Sequence, residues 1–143
     1  MPHVHHSAVY AHDVDASLRF YRDGLGLQVL MDHDFDGDWR TLFDAPADRL
    51  RSIFLGDPSS TDAGIVELVT FDGVGSDAPP PGPPRPGFFL LSFFVDVDVT
   101  LTSLAAAGFD VPARRIQVPG PNGDVEMATV RDPDGVLVEL IGA

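Results

Sequence analysis

Residues 3–15, "HVHHSAVYAHDVD", and residues 86–98, "PGFFLLSFFVDVD", have the same plan written in different residues. Each is a short apolar strand that ends in Asp-Val-Asp and leads into a helical pattern. After Asp13, Val14, Leu18, Tyr21 and Leu25 fall on one stripe; after Asp96, Val97, Leu101 and Leu104 do the same. Apolar residues at i, i+4 and i+7 share one face of an α-helix. Aspartate at each start is a sound N-cap, because its carboxylate accepts orphan backbone N–H groups. Glycine closes both patterns, at Gly24 to Gly26 and at Gly108, where a left-handed stop suits it.

Three strand-like segments follow each helix. In the first half they are "LQVLMDHDF", "RLRSIFLGD" and "GIVELVTF"; in the second, "DVPARRIQVP", "VEMATVRD" and "VLVELIG". The last strand of each half shares Val-Glu-Leu, as Val66-Glu67-Leu68 and Val138-Glu139-Leu140. The chain thus reads as one unit written twice, strand–helix–strand–strand–strand. The expected division is a first module over 1–72, a Pro/Gly-rich connector over 73–87 and a second module over 88–143, all within a single domain. The connector's composition favours an extended polyproline-like path. The first half is longer by an insert around "GDWRTLFDAPAD", Gly37 to Asp48, expected to be a loop with a short helix.

Composition excludes several chemistries. The chain of 143 residues has no cysteine, which removes disulfides, thiolate metal sites and a cysteine nucleophile. All nine basic residues are arginine, so no lysine is available for a Schiff base. A net charge of −13 repels phosphate backbones and argues against nucleic acid or an anionic membrane as partner. No apolar run approaches a membrane span, and no basic-then-apolar leader opens the sequence, so a cytoplasmic location is expected.

"HHSAVYAHDVDASLRFYRDGLGLQV" resembles the opening strand and helix of the vicinal-oxygen-chelate superfamily, and "VRDPDGVLVELIG" resembles its closing turn and strand. This superfamily includes glyoxalase I, methylmalonyl-CoA epimerase, extradiol dioxygenases and the bleomycin-resistance proteins. The resemblance covers nearly the whole chain. It implies an α+β fold of two tandem βαβββ modules with cupped mixed sheets, a small-molecule ligand and a homodimer. It also implies metal ligands on the first and last strands of the modules, which here fall on His6, Glu67 and Glu139.

The second histidine of that ligand set is missing. Counting back seven residues from Asp96 reaches Phe89, and aligning on Gly87 reaches Leu90; neither coordinates a metal. One His and two carboxylates would suit Zn, Ni, Mn or Fe. Glu67 or Glu139 would then serve as the catalytic base. Without a metal, the two glutamates are expected to face water or to pair with Arg49, Arg51 or Arg131. Tyr10 and His12 share the His6 face by period-two spacing and are candidates to line the cavity with Phe89, while His5 points away. Trp39 and Arg40 of the insert are candidates to cover its mouth, or Trp39 simply anchors its loop. "FFLLSFF" reads as a buried strand, and His33 has no evident partner.

The implied function is divalent-metal-assisted proton transfer on a substrate with vicinal oxygens, by a lyase or isomerase. The alternatives are a metal-free protein that sequesters a small molecule, of bleomycin-resistance type, and a metal-free biosynthetic enzyme using acid–base residues in the same cavity.

Overall fold

A computed structural model describes residues 1–143 apart from 74, 76 and 111. Those three lie in the connector and at the start of the "DVPARRIQVP" segment, so that part of the sequence reading falls outside the described residues. In the first half, β1 (His6–Tyr10) leads to α1 (Val14–Leu18), which widens into a π-helical segment, Arg19–Gly24. Then come β2 (Gln28–Asp36), α2 (Trp39–Phe43), β3 (Arg49–Gly56) and β4 (Ile65–Phe71). The second half runs β5 (Leu90–Val95), α3 (Val97–Ala106), β6 (Arg114–Gly120), β7 (Gly123–Arg131) and β8 (Leu137–Gly142).

The strands form two four-stranded sheets with the same order, β1-β4-β3-β2 and β5-β8-β7-β6. The first strand of each lies parallel to the last, and the other neighbours are antiparallel. This is the mixed-sheet βαβββ architecture expected from the repeat. Asp13 and Asp96 cap their helices as expected, accepting from the backbone N–H of Ala16 and Val99 at 3.0 Å each.

One face of each sheet is covered. Val9, Ile53, Leu55, Val66 and Leu68 of the first sheet and Ala128, Val138 and Leu140 of the second share a core with Phe20, Tyr21, Val97 and Leu104 from the helices. Val14, Leu18 and Leu101 pack against it, so the helical stripes point where the periodicity placed them. The halves meet where α3 crosses the π-helical segment. Gly24 permits that crossing, because a side chain there would overlap Leu104.

The other face of each sheet is open. "FFLLSFF" is therefore not a buried strand: Phe94 is 79% exposed and Phe89 54%. Successive side chains alternate between faces, and only Leu91, Phe93 and Val95 of β5 turn toward the core.

Among the described residues no helix is long and apolar enough to cross a membrane.

Candidate functional site

The open face of the first sheet carries the polar cluster. Register sets Ala8 and Phe54 on either side of Glu67, and alternation brings His6, two residues before Ala8, onto the same face. His6 Nε2 lies 3.5 Å from Glu67 Oε1. The other carboxylate oxygen accepts a short hydrogen bond from the Ser52 hydroxyl, which is buried beneath it. His6 also packs on the Phe54 ring, with centroids 5.3 Å apart. This carboxylate is held at one oxygen and left available at the other. An imidazole nitrogen and a free carboxylate oxygen facing each other can share a proton or two sides of a cation.

His5 does not point away. Residue 5 precedes β1, so strand alternation does not govern it, and its Nδ1 lies 2.8 Å from Nδ1 of His6. One of those nitrogens donates and the other accepts. His33 also gains a neighbour: register sets it opposite Ser52, on the Glu67 face.

The second sheet carries a sparser copy. Ser92 stands beside Glu139 as Ala8 stands beside Glu67. The Ser92 hydroxyl donates to Glu139 Oε1 at 2.7 Å. Stepping back two residues from Ala8 gives His6, and from Ser92 gives Leu90. The residue in the place of the second histidine is therefore Leu90, and Phe89 lies just before the strand. The count from Asp96 fails because the first half has one more residue between strand and cap. Phe89 instead lines a groove of about 400 Å³ between the connector prolines, Arg131 and Val136.

Glu139 does not join His6 and Glu67. It belongs to the other sheet, and among the described residues no three His, Asp or Glu side chains come together as a metal site. Nor do the glutamates pair with arginine. Arg51 binds Asp32 at 2.7 Å, Arg49 binds Asp34 and Asp36 at 3.3 Å, and Arg131 donates to the carbonyls of Gly135 and Gly82.

Tyr10 lies on the His6 face, 42% exposed, with its ring edge-on to Phe71 at 5.1 Å. His12 does not line that face, because β1 ends at Tyr10. Both its backbone N–H and its Nδ1 bind Asp134 Oδ1, at 2.8 and 2.6 Å. That hydrogen bond, with the Asp134 charge, holds the His12 ring protonated above its ordinary pKa. Trp39 anchors its loop, donating to the Phe35 carbonyl at 3.1 Å and stacking on Phe43, while Arg40 pairs with Asp48 at 3.0 Å.

The Asp132-Pro133-Asp134-Gly135 turn does more than reverse the chain. Asp134 also accepts from buried Ser17 at 3.3 Å, and Asp132 accepts from the Tyr21 hydroxyl at 2.7 Å. Asp132 further accepts from the backbone N–H of Asp134 and Val136. The turn of the second half is thereby pinned to the helix of the first. Burial raises the pKa of Asp132 despite the Tyr21 hydrogen bond, and burial beside Asp132 raises that of Tyr21. Ser52, Ser92 and this turn network escaped the sequence reading, and His33 was read there without its Ser52 neighbour. A lone serine inside each of "RSIFL" and "LLSFF" was the available signal for the first two.

Three comparisons bear on this arrangement. Residues 3–140 match the family model described as Glyoxalase/Bleomycin resistance protein/Dioxygenase superfamily. The chain is 39% identical over 150 residues to a lactoylglutathione lyase-like protein, terB, of Aspergillus terreus, covering 98% of this chain and 76% of that protein. It is 29% identical to a probable lactoylglutathione lyase of Synechocystis, covering 95% and 92%. Among solved structures, the trypanothione-dependent glyoxalase I of Leishmania major superposes with a TM-score of 0.63 at 27% identity, covering 99% of this chain and 87% of that one. A glyoxalase/bleomycin resistance protein/dioxygenase domain from Frankia superposes with a TM-score of 0.65 at 24% identity, covering 100% and 93%, a likeness of fold. Duplicated sheets, an open polar face and these matches agree: the chain belongs to the glyoxalase/bleomycin resistance protein/dioxygenase superfamily.

Proposed function

We propose that this protein is a lyase- or isomerase-type enzyme that moves a proton on a small molecule, with Glu67 as the base. The carrying observation is the Glu67 carboxylate on an open sheet face, oriented by Ser52 and with its other oxygen turned toward His6. A general base must be positioned and accessible before its basicity matters. The lactoylglutathione lyase names of the relatives favour the same reaction class.

A divalent cation is the cofactor this family suggests, and one chain alone does not fit it. His6 and Glu67 are two ligands, and a catalytic metal typically keeps three from the protein. A homodimer that lays the second sheet of one copy over the first sheet of the other would add Glu139 of the second copy. A cation held there would act as a Lewis acid toward a substrate oxygen. Under this reading residues 1–72 and 88–143 are modules of one domain, and each copy supplies half of two sites. Tyr10 and the exposed Phe94 would then flank the substrate.

Solvent deuterium exchange into small α-hydroxy carbonyl compounds, lactoylglutathione among them, tests the proposal. Glu67→Gln should slow exchange by roughly 10²–10⁴-fold with unchanged thermal stability. Equal rates in the two proteins would defeat the assignment. Leu90 in the histidine's place favours a second reading, a metal-free protein that sequesters a ligand. Tight binding of a panel compound without any exchange would select it.

A further inference from the structure

We infer that the substrate is an uncharged aromatic molecule bearing vicinal oxygens, not a thiol-peptide conjugate such as lactoylglutathione; this rests on Glu67 acting as the base. Register and alternation place Tyr10, Phe35, Phe54, Phe71 and His33 on the Glu67 face. Tyr10 and Phe35 are 42% and 36% exposed, so their rings present free surface on this face. Tyr10 stands one strand across and two residues along from Glu67, and Phe35 two strands across and four residues along. Tyr10 meets Phe71 edge-on at 5.1 Å and His33 meets Phe35 edge-on at 4.7 Å. Edge-on pairs leave ring faces free to stack on a planar ligand.

Charge points the same way. A glutathione conjugate carries two carboxylates, and carboxylates are recognised by guanidinium forks. Among the described residues this sheet has no arginine on the Glu67 face. Arg49 and Arg51 alternate to the opposite face and are taken by Asp34, Asp36 and Asp32. On the second sheet, Arg131 is held by the carbonyls of Gly135 and Gly82. Arg114 stands on the outermost strand, two strands from Glu139, about 10 Å away. A tail of two carboxylates and one ammonium laid across this face would meet Glu67 and Glu139 first, with Arg114 at the far edge of the second sheet, in a protein of net charge −13.

In the step itself, the Glu67 carboxylate takes the proton from the carbon between a carbonyl and a hydroxyl. The C–H electron pair moves into an enolate. The carboxyl, exchanged with solvent, returns a deuteron, with no oxidant and no leaving group required.

The probe is α-hydroxyacetophenone in deuterium oxide, followed by proton NMR, with lactoylglutathione alongside at equal concentration and the wild-type 143-residue chain as catalyst. The expected result is exchange into the aromatic probe at least tenfold faster by kcat/KM, abolished by Glu67→Gln. Tyr10→Ala should raise KM for that probe by roughly tenfold with a smaller change in kcat, and Tyr10→Phe should restore it. Glu67-dependent exchange confined to lactoylglutathione would overturn the substrate class and leave the base assignment standing. Exchange indifferent to Glu67→Gln, or none with either compound, would overturn both.

Discussion

Tyr21 and Asp132 are a buried donor and acceptor, 0% and 5% exposed, on opposite sides of the joint between the two halves. Tyr21→Phe keeps the ring and deletes the donor, leaving a desolvated carboxylate one hydrogen bond short. It should cost about 1–3 kcal/mol in urea unfolding while Glu67-dependent activity at low temperature survives. His12 and Asp134 make the neighbouring contact and set a pH dependence. The folded pKa of His12 is raised, so the stability this pair contributes is complete below the unfolded histidine value near about 6.5. It is lost as pH rises through the raised folded value. The urea midpoint of the wild type should fall as pH rises above about 6.5, and His12→Gln should flatten that fall. Asp132, raised by burial, acts in the same direction at lower pH, because its folded form holds a proton that the unfolded form has released.

At the scale of elements, the π-helical segment Arg19–Gly24 and α3 make the principal helix contact between the halves. The wide turn, with Leu25 N–H reaching the Phe20 carbonyl at 3.0 Å, ends on Gly24 against Leu104. Gly24→Ala should therefore overpack the crossing and cost about 1–3 kcal/mol, although alanine is the better helix former. Adding Leu104→Ala should make the two changes clearly non-additive, since the second removes the clashing methyls. Equal costs for Gly24→Ala in both backgrounds would show that the crossing tolerates a side chain. The strands obey a different constraint. Each glutamate has one serine partner, but Ser52 comes from β3 and Ser92 from β5, so the duplicated sheets have reached similar carboxylate settings by different substitutions.

At the scale of the molecule, two sheets expose apolar faces that a monomer would leave in water. Phe94 and Ile116, 79% and 62% exposed, stand in one cross-strand row with Ile141 and Met127 on the open face of the second sheet. Exposed contiguous apolar surface of this kind marks an interaction site. Sedimentation equilibrium at micromolar concentration should return twice the chain mass of 15.3 kDa. Phe94→Asp should shift the distribution toward monomer and reduce Glu67-dependent exchange in parallel. A monomeric wild type would detach Glu139 from the site and with it the three-ligand reading.

What the sequence determined by itself is whatever local periodicity encodes. Stripes at i, i+4 and i+7, aspartate caps, glycine stops and the repeated Val-Glu-Leu were enough to order the elements and to identify the duplicated fold. The family resemblance, not periodicity, named His6 and Glu67 together as ligands, and the fold sets them 3.5 Å apart. What only the tertiary structure decided depends on pairing between distant segments. Register against β8 put Leu90, not Phe89, in the place of the absent histidine, a one-residue matter that reverses which face a side chain occupies. The end of β1 at Tyr10 took His12 off the sheet and into the Asp134 contact. Two separate sheets kept Glu139 from His6 and Glu67. In each case the outcome is set by backbone hydrogen bonds and packing between distant segments, as in the 47-residue span from Leu90 to Leu137 and the 122-residue span from His12 to Asp134. No window of local sequence contains both partners.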